Sequence, residues 1–123
     1  MSQSAVDDLN RCVSQANEVV ARLTDEACIL ELVPIKNTET AYKLQFRKID
    51  SESPPSDLGV YNITTTGYPI ERWYSLMNWE KNELITTYFD TVSAVESHFN
   101  WLASSPSSRL MLLIRWYKEN HET

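Results

Sequence analysis

The side chains of this 123-residue chain best suited to chemistry are His98, His121, Cys12, Cys28 and the strand carboxylates Glu31, Glu71 and Glu83. Imidazoles and thiols bind metals or act as bases and nucleophiles, and paired carboxylates can do acid–base work. The spacing works against each of these. His98 stands between Ser97 and Phe99 with no His or Cys one helical turn away, and His121 sits in a polar tail. Neither cysteine has a Cys-x-x-Cys partner, so a closed zinc site lacks its ligands. Nucleophilic catalysis needs a base aimed at a Ser or Cys, and no Gly-x-Ser-x-Gly elbow is present. With only Gly59 and Gly67, no loop has enough residues free of Cβ to cradle a phosphate. The three glutamates would share a sheet face only if their strands align, and solvated strand carboxylates facing lysines are the commoner arrangement. The expectation is a protein without catalytic residues, metal or cofactor.

The aromatic residues suggest binding instead. Of the four tryptophans, Trp101 and Trp116 have apolar neighbours in helical segments, which predicts core burial for both. Trp79 lies among Asn78, Glu80, Lys81 and Asn82, where a folded chain normally places polar residues. An indole left in water there exposes apolar area whose removal by contact is worth roughly 2 kcal/mol or more. Trp, Tyr and Arg also dominate interface energetics. Tyr68, Arg72, Trp73 and Trp79 lie close together along the chain and form the candidate partner-binding surface. The competing reading puts Trp73 in the core and folds Trp79 back over the sheet. Lys43, Arg47 and Lys48 make a second candidate, a positive stripe that binds an acidic group or simply answers Glu31 and Glu71 across the sheet.

These residues need elements to position them. Val6, Leu9, Val13, Ala16, Val20, Leu23 and Ala27 alternate three- and four-residue steps, which predicts a helix from about Ser4 to Thr24, capped by Ser4. The same seam would suit helix-mediated dimerisation, but two of its positions are only alanine and the pattern then stops. Cys28 to Ile35 reads as a strand whose Pro34 belongs at an edge or an end. Tyr42, Leu44 and Phe46 alternate with Lys43, Gln45 and Arg47, giving a second strand with one face wet and a β-hairpin with the first. Ser51 to Asp57, with Pro54-Pro55, reads as an irregular loop. Further strands are predicted at about Gly59–Thr65, Ile70–Leu76 and Leu84–Phe89, with a hairpin tip at Asn78 to Asn82. Asp90 or Thr91 caps a helix carrying Val92, Val95, Phe99 and Leu102 on one face. Ser105-Pro106 fits an N-cap followed by a first helical position for a last helix through Leu110, Leu113, Ile114 and Tyr117. The continuous apolar run at 110–114 leaves a central strand as the alternative there.

The predicted fold class is α+β in one domain, 1–123. It has an N-terminal helix, an antiparallel sheet of four or five strands, and two C-terminal helices packed on one face. The order of helix, hairpin, third strand and Tyr68-Pro69 resembles the ubiquitin-conjugating and RWD-like fold over roughly residues 4 to 104. The further proline of that family is missing, with Ile70-Glu71-Arg72-Trp73 in its place. Its conjugating members need a later cysteine, and none follows Cys28. The resemblance therefore implies a catalytically inert interaction module.

Charge narrows the partners. Lys+Arg is 11 against Asp+Glu 17, a formal net charge of -6. A polyanion gains affinity from basic groups that release its counterions, so nucleic acid and anionic lipid are disfavoured. The N-terminus has no basic region followed by an apolar run, and no apolar run approaches the ~20 residues that span a bilayer. Both cysteines are expected to be reduced and buried, and the protein cytoplasmic. The expected function is that of a non-catalytic protein-binding module, acting as an adaptor, inhibitor or antitoxin-like subunit on a basic protein. A homodimer is an alternative assembly. A small-ligand binder with a Tyr- and Trp-lined pocket between sheet and helices is the alternative function.

Overall fold

A computed structural model describes residues 2–49, 51–64, 67–78 and 81–121, with side chains for 5–49, 51–64, 67–73 and 86–120. Helix α1 (Ser2–Thr24) is followed by five strands, β1 (Cys28–Pro34), β2 (Ala41–Lys48), β3 (Ser56–Ile63), β4 (Ile70–Asn78) and β5 (Lys81–Phe89). Helices α2 (Val92–Ser104) and α3 (Arg109–His121) close the chain. The strands pair in sequence order, every neighbour antiparallel. The α+β class, the five-stranded antiparallel sheet and the two C-terminal helices agree with the periodicities of the sequence.

The helical stripe explains the layering. Leu9, Cys12, Val13, Ala16 and Val20 of α1 are buried against the same sheet face that supplies Leu30, Leu44, Phe46, Tyr61, Ile63 and Ile70. The α1 seam is therefore buried within the chain, against the sheet and the C-terminal helices. From α2, Val95, Phe99 and Leu102 join that core, and from α3 Leu110 and Ile114. Cys12 and Cys28 are free thiols, both buried, and burial raises the pKa of each. No helix among the described residues is long and apolar enough to cross a membrane.

Several boundaries shift for identifiable reasons. The irregular loop ends at Pro55, because Ser56 and Asp57 already pair with Phe46 and Gln45 of β2. The register slips between Leu44 and Gln45, leaving Leu58 as the extra residue of a bulge. Beside it, a Cβ on Gly59 would lie 3.1 Å from the Trp73 carbonyl oxygen, so the close approach of β3 and β4 requires glycine. Ser105 terminates α2 by donating its N–H to the Trp101 carbonyl at 2.8 Å. The cap of α3 is instead Ser108, whose Oγ accepts from Met111 N–H at 3.1 Å. Thr91 caps α2 as expected, accepting from Ala94 N–H at 3.2 Å.

Trp101 and Trp116 are not core residues. They are 50% and 58% exposed on the outer sides of α2 and α3, since Val95, Phe99, Leu102, Leu110 and Ile114 already fill the inner faces. Apolar neighbours in sequence do not fix which side of a helix a residue occupies.

Candidate functional site

Because helices cover one face of the sheet, alternation along each strand sends every second residue to the uncovered face. The register carries Val33, Lys43, Val60, Trp73 and Thr86 across all five strands in one row. The adjacent row runs Ala41, Asn62, Glu71 and Tyr88. None of these nine residues is buried. Trp73 is 41% exposed and Tyr88 60% exposed, which makes them the prominent aromatic groups of this face among the described residues.

The charges here are ordered by pairing. Arg47 grips Glu31 with two hydrogen bonds, Nε to Oε2 at 2.8 Å and Nη2 to Oε1 at 3.0 Å. That contact is the main reason the Glu31 carboxyl lies below its ordinary range. Lys43 Nζ lies 3.6 Å from Asp57, which also accepts from Gln45 at 3.1 Å. The positive stripe read from β2 is thus largely answered on the sheet itself. Lys48 leaves the stripe altogether, since its Nζ sits 5.9 Å from the centre of the Tyr117 ring on the helical side. Glu71 is different, for among the described residues it receives two hydrogen bonds, both long. Tyr88 Oη donates to one oxygen at 3.3 Å and Asn62 Nδ2 to the other at 3.5 Å.

Of the four residues grouped as a partner-binding surface, the three described ones do not lie together on one surface. Trp73 faces solvent on the uncovered side. Arg72, its neighbour in β4, points the opposite way and is 7% exposed beneath the helices, which removes it from any surface. Its Nη2 donates to the Leu58 carbonyl at 3.3 Å, and its guanidinium carbon lies 5.9 Å from the Tyr61 ring centre. Tyr68 is half-buried and donates to Asp8 Oδ2 at 2.8 Å, tying the entry of β4 to α1. Arg11 extends that tie, 3.3 Å from Asp8 and 3.2 Å from Glu96 of α2. Burial, reinforced by the bond to Asp8, raises the Tyr68 pKa. Trp79 lies outside the described residues.

His98, half-buried, joins the buried Arg72 and Tyr61 in a polar group that no motif or spacing in the sequence indicates. Tyr61 Oη and His98 Nε2 are 3.2 Å apart, with the imidazole centroid 5.1 Å from Phe89 and 5.4 Å from Phe99. Burial, aided by the positive charge of Arg72, pushes the His98 pKa down to about 3. A base that weak stays neutral at ordinary pH, and its contact with Tyr61 links α2 to β3. Burial raises the Tyr61 pKa as well.

A separate groove of about 320 Å³ opens between α1 and the edge strand. Asn10, Val13 and Ser14 line one side and Leu30 to Pro34 the other, with no Tyr or Trp among them. No group of three His, Cys, Asp or Glu residues able to hold a metal occurs among the described residues. No family model, no curated protein and no solved structure matches this chain. None of the comparisons supports the resemblance to ubiquitin-conjugating and RWD-like domains, which is carried by element order and Tyr68-Pro69 in the sequence alone.

Proposed function

We propose that this chain is a small non-catalytic protein-binding module that docks a basic protein on the uncovered face of its sheet. The observation that supports this reading is the exposure of Trp73 and Tyr88 on a five-stranded antiparallel sheet. Aromatic side chains supply large contact area at low entropic cost, and a strand-held ring is already ordered before it binds. The net charge of -6 draws a basic partner and slows the approach of an acidic one. As an adaptor, inhibitor or antitoxin-like subunit in the cytoplasm, the module needs no turnover of its own.

Affinity capture from the native host tests the reading, comparing the wild type with Trp73→Ala/Tyr88→Ala and with Leu112→Ala on the far side. The double variant is expected to lose a saturable protein partner that the wild type and Leu112→Ala both retain. A partner held undiminished by the double variant, or no saturable partner at all, overturns it.

A further inference from the structure

Resting on that docking face, we infer that its specific ligand is an arginine side chain of the partner, held between Trp73 and Tyr88 against Glu71. Glu71 and Trp73 are two residues apart in β4 and therefore on the same side. Tyr88 is the direct cross-strand partner of Glu71, and Thr86 that of Trp73, so Trp73 and Tyr88 are diagonal neighbours and Glu71 adjoins both, one along β4 and one across to β5. Both residues are exposed at this corner of the sheet.

Charge complementarity selects the occupant. Of the described carboxylates on this face, Glu31 has Arg47 and Asp57 has Lys43, each within 4.0 Å. Glu71 has no such cation among the described residues, only the neutral donors Tyr88 and Asn62 at the long end of hydrogen-bond range. An ionised carboxylate offers about four lone-pair sites, so two weak donors leave it able to accept a bidentate guanidinium. A guanidinium plane stacks on an indole or phenol while its edge meets the carboxylate, whereas an ammonium offers only a point charge.

The test is an NMR titration of the intact chain at low salt, following the Trp73 indole N–H assigned through Trp73→Phe. The probes are the blocked tripeptide Gly-Arg-Gly and its citrulline counterpart, which keeps the shape and loses the charge. The arginine peptide is expected to shift the indole saturably. Binding should be about fivefold weaker or more for citrulline and for the Glu71→Gln protein, and unchanged in Glu18→Gln on α1. Equal binding of the two peptides, or equal effects of Glu71→Gln and Glu18→Gln, overturns the arginine site. Partner capture separates this from the docking face. Loss with Trp73→Ala but full retention with Glu71→Gln ends the arginine assignment alone, while retention with Trp73→Ala/Tyr88→Ala ends both.

Discussion

The side-chain amide of Asn17 in α1 engages both backbone groups of Leu30 in β1. Its Nδ2 donates to the Leu30 carbonyl, and its Oδ1 accepts from the Leu30 N–H, each at 2.7 Å. β1 is an edge strand, and the bonds of Ile35 and Ala27 to β2 fix the odd-numbered residues as the inward-pairing set. Leu30 and Leu32 therefore turn their N–H and C=O outward, and Asn17 takes the place of a sixth strand at Leu30. Pro34, at the end of β1, has no N–H to offer. Together they shorten the exposed edge, a recurrent protection against strand addition.

Asn17→Ala should strand two backbone groups and cost about 1–3 kcal/mol in a urea melt. It should also promote self-association through β1, seen as concentration-dependent light scattering. Asn17→Asp keeps the acceptor for Leu30 N–H but faces the carbonyl with a negative charge, so its loss should be comparable. Wild-type stability in Asn17→Ala would remove the edge-protection role.

His98 makes stability depend on pH in a defined window. Its folded pKa is depressed to about 3 from 6.5, so the unfolded chain binds the proton first as pH falls. Stability is fully present above pH 6.5 and declines between there and about pH 3, with a slope of up to about 1.4 kcal/mol per unit. Glu31, also depressed, adds loss of the same sign nearer its own ordinary pKa of 4.5. Denaturant midpoints taken from pH 7 to pH 5 should flatten in His98→Leu relative to wild type. Parallel curves would show that the imidazole is not desolvated.

Gly59→Ala places a methyl group 3.1 Å from the Trp73 carbonyl oxygen and 3.5 Å from two guanidinium nitrogens of Arg72. Backbone cannot swing away as a flexible side chain does, so β3 and β4 must separate. The expected cost is about 1–3 kcal/mol by thermal or urea unfolding, rising for Gly59→Val. An unchanged midpoint for Gly59→Ala would mean the bulge yields freely.

Ser108 and Ser105 should respond differently to alanine. Ser108 is buried, caps Met111 N–H and donates from its Oγ to the Leu102 carbonyl at 2.6 Å. Ser108→Ala should cost about 1–2 kcal/mol, because a cap and a buried acceptor are lost together. Ser105→Ala should stay within about 0.5 kcal/mol, as its role at the end of α2 is carried by backbone. The reverse order in chemical denaturation would restore Ser105 as the helix-starting residue.

Periodicity alone determined the order of elements, the amphipathic α1 and the alternating strands, because each repeat must match the geometry of its own backbone. It also implied that Arg72 and Trp73, consecutive in a strand, face opposite ways. Nearness along the chain to Tyr68 and Trp79 therefore says nothing about a shared face. Which face stays wet was for the tertiary structure to decide, since three helices cover one side and leave Trp73 on the other. The same packing turned Trp101 and Trp116 outward, because smaller inner residues had filled the space between helices and sheet. Tyr88 beside Glu71, and His98 beside Tyr61, are contacts between residues 17 and 37 positions apart. Strand register and helix docking create such pairs, and no local pattern in a sequence encodes either.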